Sequence, residues 1–140
     1  MNTEIVPSVG IVVLRGNEVL VVRHEEGASH LTGSIGLPGG RVGQGETRTQ
    51  AAVRELREET GLETSESSMT QLPTTHHAAI PSKNGLRNFE WTVFVCKKYT
   101  GALKDSEETC PFWVKSGEIQ KLNTLPNVRD AIKEALAITN

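Results

Sequence analysis

Gly40-Arg41-Val42-Gly43-Gln44-Gly45-Glu46-Thr47-Arg48-Thr49-Gln50-Ala51-Ala52-Val53-Arg54-Glu55-Leu56-Arg57-Glu58-Glu59-Thr60-Gly61-Leu62 opens as a glycine-rich loop and continues as a helix. The helix reads from Glu46 to Thr60, and Gly61 stands where a left-handed cap is preferred. At about 100° per residue, Glu55, Glu58 and Glu59 fall within an arc of roughly 100°, because positions three and four apart are surface neighbours. Ala51 lies in the same arc one turn earlier and is too small to obstruct them, whereas Ala52, Val53 and Leu56 take the opposite, core-facing side. Like charges at this spacing repel by a few tenths of a kcal/mol per exposed pair, so a plain helix gains nothing from the cluster. A bound cation reverses that sign. Carboxylate oxygens suit hard ions such as Mg²⁺, which keeps several waters and shares its remaining sites with substrate phosphates. The blander reading is a solvated acidic face with Arg54 and Arg57 as ordinary ion-pair partners, and the helix alone does not decide between the two.

Outward from this segment, Val9-Gly10-Ile11-Val12-Val13-Leu14 and Val19-Leu20-Val21-Val22 are short β-branched runs joined by Arg15-Gly16-Asn17-Glu18, which has turn chemistry. They read as an antiparallel pair and, being apolar on both faces, as central strands covered on each side. Gly27 to Gly45 reads as a loop without periodicity. Gln71 to Ile80 and Asn88 to Lys98 form a hairpin around Lys83-Asn84-Gly85-Leu86, with Pro81 expected to interrupt the pairing near the turn. Phe112-Trp113-Val114 reads as a further strand, and Val128, Ala131, Ile132, Ala135 and Leu136 as the apolar face of a closing helix behind Pro126. Together these give a mixed sheet with helices on both sides.

At 140 residues the chain fits one domain with its own core. A formal charge of −2 gives no general attraction to nucleic acid or anionic membranes, so any polyanion must be held locally. Without a basic segment followed by an apolar run at its N-terminus, or any run of roughly 20 apolar residues, the sequence leads us to expect a soluble, unprocessed cytoplasmic protein. Cys96 and Cys110 lack metal-ligand or redox spacing and read as reduced structural thiols.

The quoted segment resembles the Nudix box, G-x5-E-x7-R-E-U-x-E-E-x-G-U with U aliphatic, and matches it at every defined position. With each fixed residue at roughly 5 to 7% usage, a chance match at one starting point is on the order of one in a billion, which outweighs the bland reading of the helix. Leu37-Pro38-Gly39 also matches the usual lead-in, while Ile35 stands where these enzymes often carry tryptophan. The resemblance implies an α+β fold, a Nudix-type αβα sandwich, as a single domain over residues 1–140. It implies Mg²⁺-dependent hydrolysis of the pyrophosphate linkage in a nucleoside diphosphate joined to another moiety, with Mn²⁺ as a substitute ion. The products are a nucleoside monophosphate and the remaining phosphate compound. A nucleoside triphosphate or related small nucleotide is favoured. The alternatives are ADP-ribose or a nucleotide sugar as substrate, or a nucleotide-sensing module without turnover, which the complete set of box carboxylates disfavours.

Residue by residue, the resemblance makes Glu55, Glu58 and Glu59 the metal-binding glutamates, with Glu59 and Glu55 the first choices for direct ligands. The backbone carbonyl of Gly39 or Gly40 completes the set, and Glu46 lies near it in support. Arg54 matches the arginine that pairs with a box glutamate and holds it in place. The general base comes from the box, Glu58 or Glu59, or from the late loop, where Glu107 and Glu108 are the first candidates and Glu90 the third. The expected partner is a small-molecule nucleotide, with no nucleic acid and no membrane; homodimers are common in the family, so a homodimer is among the expected states.

Other features carry weaker expectations. Adjacent His76 and His77 point to opposite faces of a strand, so at most one faces a given site. His24 and His30 read first as surface residues. Trp91, Phe94 and Trp113 are candidates for stacking on a base, though core packing explains most such aromatics, and Arg23, Lys83, Arg87 and Lys97 are candidates for distal phosphates.

Overall fold

The structure, a computed structural model, describes residues 4–25, 33–82 and 85–139, with the backbone alone for 80–82. In chain order the elements are β1 (Ile5–Arg15), β2 (Glu18–His24), β3 (Ile35–Gly36), β4 (Gly39–Arg41), α1 (Arg48–Thr60), β5 (Met69–Ser82), β6 (Gly85–Cys96), β7 (Thr109–Lys115) and α2 (Val128–Thr139). β1 organises the sheet. It runs parallel to β6 from Ile5 to Val13 and, along its other edge, antiparallel first to β4 and then to β2. β2 continues to β3 and β7, and β5 closes the far edge beside β6.

The two apolar runs do form the expected antiparallel pair around Gly16, which sits at φ +59°. Their alternation serves two cores. Val9, Ile11, Val13 and Leu20 face α1, whereas Val12, Leu14, Val19 and Val21 face α2. The mixed sheet therefore lies between two helices, as an αβα sandwich.

α1 begins two residues later than the periodicity suggests. Thr47 caps it from an extended conformation, its Oγ1 accepting from Gln50 N at 3.0 Å while Gln50 Oε1 accepts from Thr47 N at 2.9 Å. Removing this reciprocal pair with Thr47→Ala is expected to cost about 1 kcal/mol, read as a lower urea midpoint; an unchanged midpoint would show the cap to be redundant. Gly61 ends the helix at φ 85°, with its N–H bonded to Arg57 O.

The expected placement of Ala51 on an open acidic face is corrected: it is fully buried with Ala52 and Leu56 against the sheet, while Val53 is only partly covered. The buried stripe thus runs into the acidic arc. Glu55 and Glu59 are consequently half-buried and Glu58 is exposed.

The hairpin is longer than expected, its last pair being Ser82 with Gly85; Lys83 and Asn84 lie outside the described residues, as does His30. Pro81 does not interrupt it but pairs with Leu86, and the irregularity falls instead between Gln71 and Thr75, around Pro73. Prolines are tolerated on this strand because β5 is an edge, where an outward position needs no N–H. Within the expected loop, β3 and β4 are two and three residues long, too short for an alternating pattern to be read. α2 buries Val128, Ala131, Ile132 and Ala135 as its spacing implies. Both cysteines are free, Cys96 buried and Cys110 partly so. Among the described residues no helix is long and apolar enough to cross a membrane.

Candidate active site

Two glycines set the geometry where the loop meets α1. A Cβ on Gly39 would lie 2.1 Å from Val9 O, so only glycine lets β4 lie this close to β1. A Cβ on Gly40 would lie 2.5 to 2.6 Å from the Glu55 carboxyl group, which occupies the room a side chain there would fill. From the last turn of α1, Glu59 Oε1 accepts from Gly39 N at 2.7 Å. The loop backbone and the two inner glutamates are thus fitted to each other.

Arg54 gathers the remaining carboxylates. Its Nε and Nη2 donate to the two oxygens of Glu46 at 2.8 and 2.9 Å, and its Nη1 donates to both Glu55 and Glu58 at 2.7 Å. Nη2 also donates to Arg41 O at 2.9 Å. Glu46 lies just ahead of the helix, and its Oε1 also accepts from Gly43 N at 2.7 Å. These bonds, the Arg54 guanidinium first and the Gly43 amide second, hold the Glu46 carboxyl down at about 2.

The inner pair behaves in the opposite way. Burial pushes the Glu59 carboxyl up to about 8, the charges of Glu55, Glu108 and Glu58 push the same way, and the Gly39 amide opposes them. Glu55 is also raised, mainly by burial, against the pull of Arg54. A half-buried pair of carboxylates that resists ionisation is one that a cation would relieve. All the donors are oxygens, the set that a hard divalent ion prefers. Among the described residues no three His, Cys, Asp or Glu groups converge at chelating distance: Arg54 holds Glu55 and Glu58 while Glu59 faces Gly39.

The late loop reaches this region through the Thr109 hydroxyl and is tied to the end of β2 by a backbone bond. Thr109 Oγ1 donates to Glu59 O at 3.4 Å, and Glu25 N donates to Glu108 O at 2.7 Å. Glu108 is among the charges that raise Glu59; Glu107 is not. Glu90 is engaged elsewhere, bonded by Arg48 Nη2 at 3.0 Å.

A cleft of about 300 Å³ opens from Glu59, Gly39 and Gly40 along the α2 face of the sheet, past Trp91 and Phe89 on β6, to Leu125 and Asn127 ahead of α2. Trp91 lines it, whereas Phe94 is buried on the α1 side and Trp113 packs with Tyr99 beneath Arg15, which rules both out as walls of this cleft. His76 lines the cleft while His77 turns toward Glu90, at 3.8 Å. His24, expected at the surface, is instead partly buried in the cleft wall, and burial lowers its pKa. Arg87 lines the cleft; Arg23 is paired with Glu25, and Lys97 lies in a separate groove. Sequence reasoning missed Arg41, at an undefined position of the box, and Leu125 and Asn127, outside any motif; all three reach the cleft only through the fold.

The NUDIX domain pattern matches residues 4–136. The 8-oxo-dGTP diphosphatase of Escherichia coli (strain K12) is 42% identical over 55 residues, covering 39% of this chain and 42% of that protein. The ADP-ribose pyrophosphatase of Methanocaldococcus jannaschii is 28% identical over 124 residues, covering 87% of this chain and 66% of that protein. The chain therefore spans less than two-thirds of the length of each of these relatives. Among solved structures, the MutT protein from Methanosarcina mazei Go1 shares the fold at a TM-score of 0.81 and 22% identity, covering 100% of this chain and 99% of that one. Because the domain pattern extends over nearly the whole sequence, from residue 4 to residue 136, the chain belongs to the Nudix family.

Proposed function

We propose that this protein hydrolyses the pyrophosphate linkage of a nucleoside diphosphate derivative with the help of Mg²⁺, for which Mn²⁺ can substitute. The observation that carries this reading is the half-buried, reluctantly ionised Glu59 beside Glu55 at the inner end of an apolar cleft. Glu55, Glu58 and Glu59, with the carbonyl of Gly39 or Gly40, are the residues to hold the ion. When bound, the ion neutralises the pyrophosphate oxygens and lowers the pKa of a coordinated water. Arg54, anchored on Glu46 by two bonds, keeps Glu55 and Glu58 in place and limits their mutual repulsion. The apolar cleft excludes water around the rest of the substrate, and Glu108, whose charge acts on Glu59, is the late-loop residue we assign to take a proton from the attacking water.

Glu108→Gln is expected to lower turnover by at least about tenfold, the smaller end of what a positioned base contributes, with metal binding retained, whereas Glu107→Gln leaves turnover unchanged. Equal, normal rates in both variants would place the base in the box, at Glu58 or Glu59.

A nucleoside triphosphate or related small nucleotide is the favoured substrate. ADP-ribose is the second reading, because the relative aligned over most of the chain is named an ADP-ribose pyrophosphatase. Monophosphate release from a panel of nucleoside triphosphates, 8-oxo-dGTP, nucleotide sugars and ADP-ribose, with Mg²⁺ and with EDTA, tests both. One strongly preferred, Mg²⁺-dependent substrate is the expected result, and no turnover on any compound would sink the hydrolytic reading.

A further inference from the structure

We propose, on the nucleotide reading above, that His76 is a specificity-determining residue that reads the edge of the substrate's base. Among the described residues its Nε2 is the buried side-chain polar atom with no hydrogen-bond partner. An unpartnered polar atom shielded from water is destabilising, and native structures leave few of them. No step of the proposed hydrolysis uses it.

Its place in the fold says what it meets. On β5, His76 stands opposite Trp91 of β6, and both line the cleft that ends at Glu59. Phe89 and Trp91, with ring centroids 6.0 Å apart, supply an aromatic wall beside it. A substrate whose phosphates lie at Glu59, Gly39 and Gly40 leaves its remaining portion in this apolar part of the cleft. A flat heteroaromatic base fits such walls, and its rim of donors and acceptors offers the bond that Nε2 lacks once a turn of the imidazole opens that atom to the cleft. Apolar walls alone discriminate weakly between planar groups of similar size, whereas a shielded hydrogen-bonding atom rejects a ligand that leaves it unpaired. His76 thus turns a greasy slot into a selective one.

Calorimetric titration with AMP, GMP, CMP, UMP and ribose 5-phosphate, in Mg²⁺, tests this on the wild type, His76→Phe and His76→Gln. The wild type is expected to prefer one nucleoside monophosphate over the others and over ribose 5-phosphate. His76→Phe weakens that preferred ligand by about tenfold or more, the size of one buried hydrogen bond, and leaves ribose 5-phosphate unchanged. His76→Gln, whose amide reaches about as far as Nε2, restores most of the loss. His76→Phe should also raise Tm, since it removes an unpaired polar atom, whereas a merely structural histidine would lower it. Should His76→Phe not fold, His76→Leu reads the same loss. Unchanged affinities in the apolar variant, an equal loss for ribose 5-phosphate, or a wild type that ignores the base would each overturn the proposal. Because binding is read without turnover, a wild type that binds a monophosphate selectively through His76 yet hydrolyses nothing overturns the hydrolytic reading alone.

Discussion

Glu59→Gln is expected to reduce turnover by at least about two orders of magnitude while making the metal-free protein more stable. The two effects have one cause. Glu59 is held half-buried next to Glu55, so its charge is costly until a cation shares it. Glutamine keeps the shape and an oxygen for the Gly39 amide but discards that charge. The pH dependence follows. In EDTA the folded Glu59 keeps its proton up to about 8, while the unfolded chain releases it near the ordinary glutamate value of 4.5. The native state therefore binds more protons across that interval, and stability falls as pH rises from about 4.5 to about 8, by a few kcal/mol at most. Glu46 works in the other direction: its pKa is lowered to about 2, so its contribution is present above 4.5 and lost as pH falls toward 2. It adds nothing to the slope at neutral pH. Urea denaturation in EDTA at pH 5 and pH 8 checks this, with the slope greatly reduced in Glu59→Gln. Glu58→Gln should also lose turnover by orders of magnitude, and near-normal rates in both variants would refute the site.

Gly39→Ala and Gly40→Ala are expected to part company, although they are neighbours. The Cβ at position 39 meets a backbone carbonyl, Val9 O, at 2.1 Å. Neither strand can yield without breaking the β1–β4 pairing, so this variant loses about 3 kcal/mol or more and is poorly folded at 37 °C. At position 40 the obstacle is the end of the Glu55 side chain, which can swing aside. Gly40→Ala should therefore keep stability within about 1 kcal/mol, yet lose most of its turnover because Glu55 is displaced. Denaturation midpoints and initial rates, measured on both variants, separate the outcomes; similar stability losses would mean that position 40 matters only for folding.

Much of this arrangement was legible because it is written in local spacing. The helix, its glycine stop and the carboxylate face need only the 3.6-residue period and the identity of Gly61. The closing helix and the β1–β2 pair were equally local. What the sequence could not disclose depends on where chains meet. β3 and β4 are too short to carry a pattern, yet β4 positions Gly39 and Gly40. Ala51 was misjudged because a helical wheel shows angles but not how far the sheet curls around the helix. Likewise, nothing in the spacing of Glu107 and Glu108 tells them apart; the bonds from Thr109 to Glu59 and from Glu25 to Glu108 bring only the second toward the carboxylates. Trp91, Phe94 and Trp113 were equal candidates on paper, and strand parity together with the position of α2 left only Trp91 in the cleft.

Metal binding itself is the most direct test of the central claim that the inner carboxylates of α1 hold a divalent ion. Paramagnetic resonance of free Mn²⁺, titrated into wild type and Glu59→Gln and then competed with Mg²⁺, measures it without reference to any substrate. Saturable binding by the wild type, displaced by Mg²⁺ and greatly weakened in Glu59→Gln, is the expected result; equal binding by the two proteins, or none by the wild type, would contradict it.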